Sequence, residues 1–197
     1  MPGMRVWLYC ASWVLLLGLA VFVFRVAVRR DYARYGRLRP LESALQLAVW
    51  ALCIALPFLY NPARWIWFWL PGVPVSPPVR FVGVVLTVTG MVIAFGTMLW
   101  FGLGRAFGVR VQGLQQHGPY RWTRNPQVAG MIPMIAGVVI LWPSWFAVGW
   151  ALLLAIVAHL MVTTEEEHLE RVFGDEYRAY RAQVPRYVPR LRRTGPA

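Results

Sequence analysis

The chain has 197 residues, 58% of them hydrophobic and only 14% charged, with a mean hydropathy of +0.50. A soluble domain averages nearer ~25% charged, and a chain this small buries too little surface to hide 11 Trp, 10 Phe and 8 Tyr. Composition therefore excludes a soluble globular domain, a disordered chain and collagen-like repeats; the formal net charge of +12 comes from Arg residues set between apolar spans, a pattern of membrane topology rather than of a nucleic-acid partner.

Five stretches approach the ~20 apolar residues that a bilayer crossing needs, at about 6–28, 41–60, 80–102, 126–142 and 145–164. The first is too long for a cleavable signal, and its charge lies on the wrong side. Arg5 precedes it, whereas Arg25, Arg29, Arg30, Arg34, Arg37 and Arg39 close or follow it. Cys10 and Cys53 stand alone inside apolar stretches and read as small buried hydrophobes. Residues 61–78, with Trp65, Trp67 and Trp69, read as an interfacial loop, because indole is apolar with one wet N–H. The fourth and fifth spans are separated only by Pro143 and Ser144 and form a tight hairpin.

Counting onward from the first loop, only Arg5, Arg64 and Arg80 fall on the outer side, leaving 17 of the 20 cations inside (20 − 3). The positive-inside rule then gives an outer N-terminus and a cytoplasmic C-terminus. A basic set made only of Arg suits a GC-rich genome, and the expected location is a bacterial inner membrane. After the last span, six of the eight acids lie between Glu165 and Glu176. Leu169, Val172, Phe173, Tyr177, Tyr180 and Val184 recur at roughly helical spacing, so an amphipathic cytoplasmic segment is expected, broken or kinked at Gly174. The predicted fold is all-α, a polytopic membrane protein with about five transmembrane helices and a C-terminal amphipathic cytoplasmic helical segment. It is read as one domain, with variable first spans over 1–78 and the catalytic part over 79–197.

Three polar clusters share the inner side: Gly102-Leu103-Gly104-Arg105, the run His117–Pro126, and Glu165-Glu166-Glu167. The hairpin sets the start of the fourth span beside the end of the fifth, so Arg124-Asn125-Pro126 and Glu165-Glu166 become neighbours. Asn125 before Pro126 is a good helix cap whether or not a ligand binds, and a helix start favours an anion. The carboxylates opposite favour a cation, and Tyr120 and Trp122 add flat apolar surface. A zwitterionic, aromatic ligand such as S-adenosylmethionine suits that mixture. Thr164-x-x-Glu167 also matches a capping box, which would make those acids the opening of a C-terminal helix. His159 lies inside the fifth span; His117 and His168 lie on the aqueous side, and Arg186, Arg190, Arg192 and Arg193 are expected at anionic headgroups.

The residues GLGR at 102–105, GPYRWTRNPQVAG at 118–130, EExxL at 165–169, FGxxYxxY at 173–180 and VPR at 184–186 occur in an order that resembles the isoprenylcysteine carboxyl methyltransferase and phospholipid methyltransferase family of integral membrane enzymes. The resemblance covers about 100–197. It implies S-adenosylmethionine as the methyl donor, with Tyr120, Arg124, Asn125, Pro126 and Glu165 as cofactor contacts. Gln112 and Leu114 are further candidates at the start of the connecting loop. The family usually reads Arg-His-Pro-x-Tyr-x-Gly at 124–130; here Asn125 replaces the His and Val128 the Tyr. Asn cannot titrate near neutral pH as His can.

Methyl transfer from a sulfonium needs mainly proximity and alignment. A carboxylate acceptor needs no base, while an amine or hydroxyl must lose a proton, which Glu165 or Glu166 could take. The expected acceptor is a lipid-like or isoprenylated molecule entering from the bilayer. Two other readings stand beside this one: a membrane reductase of the sterol-reductase type with a nicotinamide cofactor, and a non-catalytic membrane scaffold.

Overall fold

The computed structural model describes residues 2–59, 75–102 and 113–188. Every regular element among them is helical. Helix α1 (Pro2–Phe22) runs through a π-helical stretch, Val23–Val28, into α2 (Arg29–Tyr35), which ends at Gly36 with φ 66°. Helix α3 (Pro40–Ala55) follows, then α4 (Pro77–Phe101), α5 (Pro126–Leu141) and α6 (Trp145–Gln183). Three helices are long and apolar enough to cross a membrane: Met4–Tyr35, Pro77–Trp100 and Trp145–Gln183. Pro40–Ala55 and Pro126–Leu141 are shorter apolar helices. These five fall where the five apolar stretches were expected, and the all-α polytopic membrane fold stands. The Trp-rich run 65–69, Leu103, Gly104, Arg105 and Gln112 lie outside the described residues.

Two seams hold the helices together. The first joins α4 to α5 through small residues. A Cβ on Gly90 would lie 2.6 Å from the Gly130 carbonyl oxygen, and one on Gly130 would lie 2.6 Å from the Ala94 nitrogen. Gly83 and Gly137 approach one another in the same way. Small residues spaced seven apart on both helices thus let two backbones touch, which is how membrane helices gain dispersion energy when lipid and side chains are equally apolar.

The second seam sets α6 against α1 and α3. Its core includes Val23, Phe24, Val49, Leu153 and Val157, all 0% exposed. Aromatic donors bridge it to backbone carbonyls: Tyr9 Oη to Phe146 O at 2.8 Å, Trp13 Nε1 to Gly149 O at 2.8 Å and Trp150 Nε1 to Cys53 O at 3.0 Å. Buried N–H and O–H groups seek such partners. Cys53 is buried as expected, but Cys10 is exposed on the outer face of α1, so the reading of both cysteines as buried is corrected.

Helix α6 does not stop at the end of the apolar span. It continues past Glu165 to Gln183, with a kink at Gly174, whose φ of 49° and ψ of −118° are open to glycine. The expected kink is therefore present. The capping-box reading of Thr164-x-x-Glu167 is corrected, because no helix starts there. Thr164 Oγ1 instead donates to Leu160 O at 2.9 Å, and Glu167 pairs with Arg25 and Arg29, each at 2.9 Å.

Candidate functional site

The hairpin of α5 and α6 sets Arg124 next to Glu166 because the start of one helix and the twenty-second residue of the other reach the same level. Glu166 is 6% exposed and accepts two cations. Arg186 Nη2 reaches Glu166 Oε2 at 2.8 Å and its Nε the same oxygen at 3.1 Å, while Arg124 Nη1 lies 3.3 Å from Oε1. The Arg124 contact is an ion pair without hydrogen-bond alignment, since Glu166 Oε1 has no hydrogen-bond partner. The expectation that Arg186 meets anionic headgroups is corrected, since its guanidinium is paired with Glu166; Arg190, Arg192 and Arg193 lie outside the described residues.

The segment after α6 folds back over this pair. Arg124 N–H donates to Pro185 O at 2.9 Å, Thr123 Oγ1 to Arg186 O at 2.9 Å, and Asn125 Nδ2 to Arg186 O at 3.2 Å. Asn125 sits at the N-cap position of α5, yet its side chain makes no cap bond. The expectation that Asn125 caps α5 is corrected: its amide is turned to the C-terminal segment, where it acts as a tether. Pro126 at the first helical position is buried and needs no donor of its own. Val128 packs with Ala158 and Val162 beside Tyr187, and Tyr187 Oη lies 2.9 Å from His159 Nδ1.

Glu165 differs from its two neighbours. It is half-buried and makes no ion pair or hydrogen bond to any described residue. Dense protein surroundings push its carboxyl up to about 7, and the negative charge of Glu166 adds to the shift. It stands near Tyr32 of α2 and Tyr120, whose hydroxyls are both held above their ordinary value first by burial and then by the Glu165 charge.

Tyr120 is 8% exposed, accepts a hydrogen bond from Gln127 Nε2 at 3.0 Å and receives Tyr180 Oη on its carbonyl at 2.8 Å. Tyr177, 1% exposed, accepts from Arg124 Nη1 at 3.4 Å. Trp122, by contrast, is 53% exposed. Leu114 is half-buried on the connecting loop, and Gln112 lies outside the described residues.

Sequence reasoning missed Tyr32 and His168. The His168 ring stacks on Tyr32 with centroids 4.0 Å apart and 7° between planes, and it is 3% exposed rather than solvated. Burial, then Arg171, hold its pKa below the ordinary value, with only the Gly36 backbone pulling upward.

The raised Glu165 pKa fixes the sign of one pH effect. In the unfolded chain this carboxyl ionises near its ordinary 4.5, and in the fold near about 7. Ionised Glu165 therefore costs stability that accumulates between those two values and is constant above them. Glu165→Gln should stabilise the protein at pH 8 by about 1–3 kcal/mol, allowing for its partial exposure. The gain should fade as the pH falls to 4.5, as unfolding in detergent across that range will show.

A sequence profile described as phospholipid methyltransferase matches residues 78–176, just over half of the chain. No curated protein and no solved structure matches it. The match lends nothing to the reductase reading. The chain belongs to the phospholipid methyltransferase family, and is a membrane methyltransferase.

Proposed function

We propose that this family member transfers a methyl group from S-adenosylmethionine to a lipid-like or isoprenylated acceptor bearing a carboxylate or an amine, at a site on the cytoplasmic face of a bacterial inner membrane. The observation that carries this reading is Glu165, a carboxylate without a described partner beside a doubly paired one. Residues 79–197 form the catalytic part, and 1–78 are the variable spans that border it.

The residues fit the donor's chemistry. Glu165 offers an unmet acceptor to an ammonium or a ribose hydroxyl, and Arg124 Nε is a buried donor without a partner, suited to a carboxylate. Tyr120, Asn125 and Pro126 complete that wall, with Leu114 and Gln112 on the loop leading to it. When bound, the sulfonium supplies an activated methyl that passes to the acceptor lone pair as its carbon–sulfur bond breaks.

The chain itself aligns and desolvates. Glu166 holds Arg124 and Arg186 in place, and its charge raises the proton affinity of Glu165. For an amine acceptor, Glu165 near about 7 takes the released proton efficiently at neutral pH. For a carboxylate acceptor it only binds and orients.

Glu165→Gln keeps shape and removes charge. It should weaken S-adenosylmethionine binding by roughly 1–3 kcal/mol, measured by calorimetry on the purified protein in detergent. Unchanged affinity in the folded variant would remove Glu165 from the donor site. Incubation with methyl-labelled donor in native lipid extract, followed by identification of the labelled product, tests the acceptor class.

A further inference from the structure

Helix α6 carries an ionisable side chain within its apolar stretch, His159, seven residues before Glu166. Seven residues are about two turns, so the ring lies on the same face as Glu166 and about 10 Å further into the apolar part of the helix. Glu166 is buried, whereas His159 is exposed. Ionisable groups inside a span are costly, pair with one another or face a cavity, and mark the paths that substrates take. The partner of His159 is Tyr187, whose Oη lies 2.9 Å from Nδ1, with the two rings 6.3 Å apart. Nε2 has no hydrogen-bond partner among the described residues.

One segment fixes both residues. Arg186 holds Glu166 at 2.8 Å, and the next residue, Tyr187, reaches His159. The chain after α6 therefore runs along one face of that helix, from the level of the glutamates towards the bilayer. Val128, Ala158 and Val162 form a small buried cluster beside it, with Trp50 of α3 and Tyr187 packed against them. A bond that served only to fasten this segment would use Nδ1 alone. The second nitrogen would then face hydrocarbon unpaired, where carbon would cost less. Tyr187 Oη can donate to Nδ1 or accept from it, which leaves Nε2 able to take a hydrogen or to give one. An amine and a carboxylate are thus both within its chemistry.

We infer that His159 receives and orients the methyl acceptor: Nε2 hydrogen-bonds the acceptor's polar group as it arrives from the bilayer, and Tyr187 holds the ring for that contact. The inference rests on the methyl-transfer reading above and deepens it. No proton or methyl group passes to His159; its part is to bind. Tyr187 lies beyond the family-matched residues 78–176, so this half of the acceptor contact is supplied by the chain that follows the shared segment.

The test is methylation by the full chain in mixed micelles of detergent and native lipid extract, with methyl-labelled S-adenosylmethionine saturating and the extract fraction varied. Two substitutions separate the two ring nitrogens. The amide of Asn reaches about as far as Nδ1, and that of Gln about as far as Nε2, and each can donate or accept. His159→Asn therefore keeps a partner for Tyr187 and removes the outer nitrogen, while His159→Gln does the opposite. His159→Asn and His159→Leu should raise the apparent KM for lipid about three- to tenfold, the effect of one lost hydrogen bond. His159→Gln should stay within about twofold of the parent. Calorimetry should find the same affinity for S-adenosylmethionine in all four proteins.

The reverse order, with His159→Asn like the parent and His159→Gln like His159→Leu, would overturn the inference and reduce the ring to a fastening for Tyr187. So would an unchanged KM in all three variants, or a loss of donor affinity in His159→Asn that matches its change in KM. Absence of labelled product from the parent protein would overturn the methyl-transfer reading and this inference together. Labelled product from the parent with the reverse order among the variants would overturn this inference alone.

Discussion

Glu166→Ala should destabilise the protein by about 3–5 kcal/mol, the usual loss when one member of a buried ion pair is removed. The reason is what remains. Arg124 has a side chain only 9% exposed, and its other described side-chain partner is the Tyr177 hydroxyl at 3.4 Å. Without Glu166 its charge is buried and uncompensated, and Arg186 loses the oxygen that fixes the segment after α6. Replacing the pair together, with Arg124→Met and Glu166→Leu, should recover much of the loss, because apolar residues of similar volume carry no desolvation penalty. Unfolding of the three variants in detergent measures both the single loss and the coupling. A loss below 1 kcal/mol in Glu166→Ala would mean that the pair is solvated.

The second large effect lies at the seam of α4 and α5. Gly90→Ala places a methyl group against the Met134 backbone and 2.6 Å from the Gly130 carbonyl. Neither neighbour is the free end of a flexible side chain, so the helices must separate. A loss of about 2–3 kcal/mol is expected, the upper range for overpacking. Gly96→Ala, on the same helix, is the control. Nothing lies within 4 Å of its Cβ position, and alanine's better helix propensity should make it neutral or stabilising by up to about 1 kcal/mol. Denaturant titration in mixed micelles compares them. Equal stabilities would show that the seam is loose.

The apolar runs and the hairpin were legible in the sequence because burial in lipid leaves a direct mark on composition. So was the meeting of Arg124 with Glu166, which follows from a hairpin closed at Pro143 and Ser144 that sets the start of the fourth apolar run beside the end of the fifth. Other features left no such mark. The continuation of α6 to Gln183 was obscured by the change from apolar to charged residues, which alters the solvent around a helix without ending it. The role of Asn125 was misread because its side chain is equally suited to a helix N–H or to a carbonyl arriving from sixty residues away. His168 and Tyr32 stack across helices far apart in sequence, a relation that helical periodicity within either segment does not contain.

The tie between Glu166 and Arg186 also orders events in time. During synthesis Glu166 and Arg124 are available to each other as soon as α5 and the first part of α6 have emerged. Arg186 leaves the ribosome twenty residues after Glu166, a delay of about 1–4 s at ~5–20 residues per second. For that interval the two membrane helices can be inserted and paired while Glu166 is held by one cation instead of two. The Thr123, Arg124 and Asn125 contacts to Pro185 and Arg186 close only afterwards, so the site is the last part of the described fold to be locked, and a nascent chain has seconds in which its pocket is open.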